Sequence, residues 1–181
     1  MKPTAATPRA TKTSPGEEAR LLETREVTPG RHLLHWAAPG IARAVQPGQF
    51  IYVRSPRQLG LLLPALPVAG FDRVDGTIDL LVTAGSATVA PVLGVREGEA
   101  ASLEGPLGRG FAIDARSRYL LAVADVDGLA RVRAIVVEAV ASGRQVTVLL
   151  GARAVAGGLA WTLLPGAGVC VVATAAGSVG E

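Results

Sequence analysis

Few side chains in this sequence are of a type that does chemistry, and their spacing sorts them quickly. His32 and His35 stand three residues apart on an extended run, so they face opposite sides of a strand and cannot share a metal. Each reads as a surface histidine. Cys170 is the single cysteine, which excludes an internal disulfide framework and a cysteine-built metal site within the chain. Its apolar neighbours predict a buried, inert thiol. Arg54 and Arg57 follow an apolar strand and carry guanidiniums of the kind that pair with phosphate, with Arg73 as a third. Gly85-Ser86-Ala87-Thr88 precedes a predicted helix, where backbone amides can receive an anion. The same order of residues is also an ordinary helix N-cap. Gly128 follows Asp125 and Asp127 at the start of another predicted helix. Carboxylates there complement the helix dipole and repel a phosphate. Trp36 and Trp161 are lone aromatics and read as packing anchors.

The elements that must position these residues follow from composition and periodicity. The 181 residues are 49% hydrophobic and 18% charged, enough to build a packed core in one ordinary domain or two small ones. Only 4% are aromatic, so Val, Leu and Ala build that core. The net charge is +3, and lysine occurs only at Lys2 and Lys12. No stretch interleaves arginine with aromatics as a nucleic-acid stacking platform does, so no nucleic-acid partner is expected. No apolar run reaches the roughly 18 residues needed to span a bilayer, and the N-terminus lacks the apolar centre of a signal peptide. A cytoplasmic protein is expected, in keeping with the lone cysteine.

Residues 1–19 hold Pro, Thr, Ala and scattered charge without periodic hydrophobicity and are expected to be disordered. From Arg20 the text alternates as β-strands: Leu21 to Val27, Arg31 to Trp36 closed by Pro39-Gly40, and Gln49 to Arg54 entered through Pro47-Gly48. Asp75-Gly76 signals a hairpin between Val68–Phe71 and Thr77–Val82. A short helix over Ala84–Leu93 and a last strand at Ala101–Leu103 complete what reads as a closed antiparallel barrel over 20–116. After Arg118 the period changes. Tyr119–Ala124 is a continuous apolar run, Leu129–Ala141 has helical spacing and ends at Ser142-Gly143, and Gln145–Gly151 and Gly168–Ala173 are further apolar strands. Strand, helix, strand predicts a parallel βαβ unit over 117–181.

Two runs add a family to this picture: Pro47-Gly48-Gln49-Phe50 and Gly105-Pro106-Leu107-Gly108-Arg109-Gly110-Phe111. In this order, from about Glu23 to Gly180, the sequence resembles the ferredoxin-reductase superfamily. Within that superfamily it resembles the electron-transfer subunit of two-subunit bacterial dihydroorotate dehydrogenases. The resemblance implies a flavin-reductase-type β-barrel followed by an NAD-binding-like α/β domain, here a short one. It also implies an Arg-Pro-aromatic-Ser/Thr run that grips flavin. The matching residues are Leu63-Pro64-Ala65-Leu66-Pro67, without guanidinium or hydroxyl, which leaves Arg54, Arg57 and the Gly85, Ser86, Thr88 loop as cofactor-binding candidates.

For NAD the resemblance implies a glycine-rich loop after the first strand of the second domain. Only Gly128 remains of it, beside Asp125 and Asp127. Val146 to Arg153 resembles the second strand and its turn, and Ala173 to Gly180 a further family element with Ala176 in place of an acidic residue. A hydrogen bond to a charged group is worth roughly 1.5–3 kcal/mol, so three lost contacts cost about 6 kcal/mol, or about four decades in affinity. The expectation is therefore no resident cofactor, with FAD held only if a modified site still binds it, no catalytic residue and no metal. No iron–sulfur ligands are present in the chain. A protein partner or a homo-oligomer is expected, through an apolar sheet edge or face near Val146–Leu150 and Val169–Val172.

Overall fold

The computed structural model describes residues 16–152, 164 and 169–174. Six antiparallel strands close a barrel: β1 (Glu17–Thr28), β2 (Arg31–Ala37), β3 (Phe50–Arg54), β4 (Ala65–Asp72), β5 (Thr77–Thr83) and β6 (Ala100–Leu107), in the order β1-β2-β5-β4-β3-β6. Closure removes free edges among these strands. Alternation does the sorting: Leu34 and Trp36 on β2, Ile51 and Val53 on β3, and Ile78, Leu80 and Val82 on β5 all enter one buried core. Trp36 is fully buried there, as a packing anchor should be.

Two short helices, α1 (Pro39–Ala44) and α2 (Ala90–Leu93), cap barrel connections. Helix α1 stands where Pro39-Gly40 was expected only to end a strand. Proline suits a first helical turn, and the Glu17 carboxylate accepts hydrogen bonds from the amides of Gly40 (3.0 Å) and Ile41 (2.8 Å). Strand β1 consequently begins at Glu17, inside the segment expected to be disordered, where Glu17–Arg20 pair with Leu103–Ala100 of β6. Residues 1–15 lie outside the described residues. Helix α2 is shorter than the expected 84–93 because Ser86 to Val89 form a hydrogen-bonded turn before it.

The two runs that carried the resemblance touch one another. The Phe111 amide donates to the Pro47 carbonyl at 2.7 Å. Gln49 is completely buried; its side-chain amide donates to the Gly108 carbonyl (2.9 Å), and its side-chain oxygen accepts from the Gln46 amide (2.8 Å). Gly48 sits at φ +87° with the Phe111 ring only 2.6 Å from where a Cβ would be, so no larger residue fits. These motifs are a structural lock between β3 and β6.

The second unit is a parallel sheet in the order β7 (Tyr119–Asp125), β8 (Gln145–Ala152), β9 (Val169–Thr174), with helix α3 (Leu129–Ala141) between β7 and β8. Leu129, Val136 and Ala139 of α3 pack on Ala122, Val146, Val148 and Leu150 from one face of the sheet. Ala69 and Leu81, which point outward from the barrel on β4 and β5, join the same cluster. The expected apolar opening near Val146–Leu150 is only partly where the sequence put it, because α3 covers Val146, Val148 and Leu150. The exposed apolar residues are Tyr119, Leu121 and Val123 of β7 and Leu149 of β8. The side chains of β9, Cys170 included, Trp161, Arg153 and residues 175–181 lie outside the described residues. We expect Gln49→Ala to lower unfolding stability by about 1–3 kcal/mol, since it removes the hydrogen bonds of a fully buried side chain that ties the two runs together. Denaturant unfolding of the variant checks this; an unchanged midpoint would show that the lock carries no stability.

Candidate functional site

Strand register brings most of the sequence-selected residues to one end of the barrel. Tyr52 pairs with Ala65, so Arg54 and the start of β4 share that end. Arg31 pairs with Thr83, so the turn at Gly30 and the loop Gly85–Thr88 share it too. The β7–α3 loop holding Asp125, Asp127 and Gly128 reaches it through Arg31.

What those residues do there is mutual. Arg57 forms a two-pronged ion pair with Glu99, at 2.7 and 2.8 Å, and Arg96 binds the same carboxylate from the other side. The Arg57 side chain, then the Arg96 amide and side chain, hold the Glu99 carboxyl far below the usual carboxylate range. Arg57 is therefore committed to a carboxylate within the chain. Arg54 is half-exposed, with Glu104 at 3.9 Å. Arg73 donates to the Val45 carbonyl at 3.1 Å and lies over the Phe71 ring. It is packed against the opposite end of β4.

In the loop before α2, the Ser86 and Thr88 hydroxyls bond to each other at 2.8 Å, and the Val89 and Ala90 amides donate to the Ser86 carbonyl. This is a self-satisfied turn of the capping kind. Gly85 stands at φ +111° with nothing within 4 Å of a Cβ position. Ahead of α3, Asp125 accepts the Gly128 amide in a local turn, while Gly128 itself is the N-cap and supplies no side-chain cap. Asp127 pairs with Arg31 at 2.6 Å, and Arg31 also donates to the Val126 carbonyl (3.1 Å). In the run Leu63 to Pro67, Leu66 is buried and pairs with Ile51, while Leu59, Leu61 and Leu62 just before it are exposed.

A second cluster escaped the sequence reading. Arg133 of α3 donates to the Ala69 carbonyl (2.9 Å) and to Asp79 (3.2 Å), whose other oxygen meets the His35 ring nitrogen Nδ1 at 2.8 Å. A cleft of about 250 Å³ lies here, lined by His35, Phe71, Asp72, Thr77, Asp79 and Arg133 among others. A Cβ on Gly70 would stand 2.5 Å from the Arg133 guanidinium, so glycine is what lets that side chain through. Gly70 was the available signal, a glycine inside a strand pattern where another group approaches closely. His32 and His35 do face apart, as read, though His35 has the partner just named. Among the described residues no group of three or more His, Cys, Asp or Glu is placed to hold a metal, and no helix is long and apolar enough to cross a membrane.

No protein-family model matches the sequence. A curated relative does: the electron-transfer subunit of dihydroorotate dehydrogenase B (NAD(+)) from Desulforamulus reducens is 31% identical over 137 residues, 75% of this chain and 52% of the relative. The chain thus spans about half the length of the relative it matches. Among solved structures, a ferredoxin reductase of carbazole 1,9a-dioxygenase superposes with a TM-score of 0.74 at 21% identity, over 92% of this chain and 52% of that one. The NADH-dependent reduced ferredoxin-NADP oxidoreductase gives 0.71 at 22% identity, over 90% and 58%. At such identities these structures establish the fold.

The Glu99 cluster makes a pH prediction. A carboxyl whose pKa is lowered on folding stabilises the protein above its unfolded pKa, and that contribution is lost as pH falls through the lower folded value. Glu99 should therefore stay charged at about pH 4, where ordinary carboxylates are half titrated. The advantage of wild type over Glu99→Gln should begin to shrink in the ordinary carboxylate range, as the unfolded chain takes up its proton, and be lost in stronger acid as pH falls through the folded value. Carboxyl titration by NMR reads this directly, and an ordinary midpoint would mean that the pairing with Arg57 and Arg96 does not persist in solution.

Proposed function

We propose that this chain, which belongs to the family of dihydroorotate dehydrogenase electron-transfer subunits, holds no cofactor of its own and serves as a non-catalytic assembly partner of a redox enzyme. The observation that carries this reading is that Arg57, Ser86 and Thr88 are spent on contacts within the chain, which leaves Arg54, half-exposed with Glu104 at 3.9 Å, as the one candidate cation among them. Arg57 is taken by Glu99, the Ser86 and Thr88 hydroxyls by each other, and Asp127 stands paired with Arg31 where a dinucleotide would bring negative charge. Pro64 and Pro67 offer neither cation nor hydroxyl. FAD and NAD(H) therefore do not fit the residues present. The matched relative is by name a subunit of a larger enzyme, and that supports a protein partner here. The exposed Leu59, Leu61 and Leu62 offer apolar surface at the same end of the barrel.

One feature favours an alternative, an active flavin-dependent subunit passing electrons between NAD(P)H and a partner. The space at Gly85 is open, with nothing within 4 Å of a Cβ position, so an extended ligand could approach the backbone there. Spectroscopy separates the two. Purified protein should be colourless, should take up no stoichiometric FAD or FMN when titrated, and should leave NADH unoxidised in the presence of artificial acceptors. A flavin absorbance band at one equivalent per chain, or saturable NADH turnover lost on substitution of Gly128, would establish the alternative.

A further inference from the structure

Two arginines enter adjacent strands side by side. Tyr119 of β7 pairs with Gln145 of β8 in parallel register, so Arg118 and Arg144, one residue earlier, are neighbours about 4.8 Å apart across the sheet. The Gln145 amide donates to the Arg118 carbonyl at 2.9 Å, which fixes that pairing. Like charges at neighbouring sheet positions are destabilising. A local conflict of this kind, left unrelieved within the chain, marks a functional site.

A cleft of about 460 Å³ surrounds the pair where the 112–118 connection meets the turn from α3 into β8. Ser117, Tyr119, Ser142 and Gln145 line it with the two arginines, and no carboxylate is among its lining residues. The nearest acid along the chain, Asp114, is already paired with Arg116 at 3.0 Å. Arg144 is half-buried and held by neutral groups: its Nε donates to the Ser117 carbonyl at 3.1 Å and its Nη1 to the Ser142 hydroxyl. That guanidinium is oriented without being neutralised. Its place just after the C-terminus of α3 complements the helix dipole, which accounts for one cation there. It does not account for a second. Arg118 is exposed and has no ion-pair partner among the described residues.

We propose that this cleft is a binding site for a phosphate-class oxyanion held between the Arg118 and Arg144 guanidiniums. A dianion with several oxygens offsets both charges and meets both planar forks, whereas a single carboxylate offsets one. The cleft exceeds a bare phosphate, and Tyr119, 73% exposed at its edge, offers a ring face to the organic group of a phosphate ester. The site stands at the N-terminal ends of the strands, away from Asp125 and Asp127 at the C-terminal end of β7, so it is independent of whether the chain holds a flavin.

Titration of the full chain with inorganic phosphate tests it, with the arginine Nε resonances followed by NMR and acetate and chloride as controls at matched ionic strength. Arg118 and Arg144 should shift saturably with a dissociation constant of about 1 mM, as two partly screened contacts allow. Arg118→Gln should weaken binding at least about tenfold, the effect of one lost hydrogen bond to a charged group. In phosphate-free buffer the same variant should not lower the thermal midpoint, because it relieves the like-charge pair; a merely structural arginine would lower it. Arg118→Lys keeps the charge without the fork and should retain part of the affinity. No saturable shift up to about 20 mM phosphate, equal shifts with acetate, or affinity unchanged in Arg118→Gln would overturn the proposal.

Discussion

The placement of one unit on the other depends on the Arg133 guanidinium. It leaves α3, crosses into the barrel wall, and donates to a backbone carbonyl of β4 and to the carboxylate of Asp79 on β5. A mostly buried guanidinium is costly to leave unmatched, and a charge-assisted pair restores what desolvation removes only if geometry is held. Here it is held by Gly70, by the His35 ring on the far side of Asp79, and by the apolar contact of Ala69 and Leu81 with α3. A second tie, Arg31 to Asp127, reaches the other end of the same barrel face. With an ion pair at two separated points and a dry patch between, the second unit has no free rotation on the barrel.

The two runs that carry the family resemblance have a structural duty of their own. Pro47 to Phe50 and Gly105 to Phe111 lock β3 to β6. Buried Gln49 and the crowded backbone at Gly48 and Gly110 serve barrel closure whether or not a ligand is present. At the grip positions that the resemblance implies stand Leu63, Pro64, Pro67 and Asp127, the last of which ties the units together through Arg31. Resemblance in the lock is therefore evidence about fold, and only the grip is evidence about chemistry.

What was legible in the sequence was local. Alternation at Leu34, Trp36, Ile78, Leu80 and Val82, the Asp75-Gly76 turn and the change of period after Arg118 all act through near neighbours, and each reappears in the structure. Helix α1 was hidden because its cap, Glu17, is 23 residues away. The contact of Arg57 with Glu99 and that of Arg133 with Asp79 span 42 and 54 residues, and no pattern along the chain announces either. Leu81 was the nearest thing to a clue: beside Leu80 and Val82 it breaks strict alternation, which is how a strand reads when both its faces are covered. The run from Tyr119 to Ala124 gave the same signal, yet the described residues cover only one of its faces.

Closure of the barrel sets the order in which this chain can become a folded object. Strand β1 must pair with β6, joining Glu17 to Leu103. During synthesis the first strand has to wait, hydrogen-bonded only to β2, until the residues as far as Leu103 have been made. Long-range closure of this kind is slow compared with helix formation. The nascent barrel therefore spends that interval as an open sheet, with β1 and β3 as two raw edges that only β6 can join.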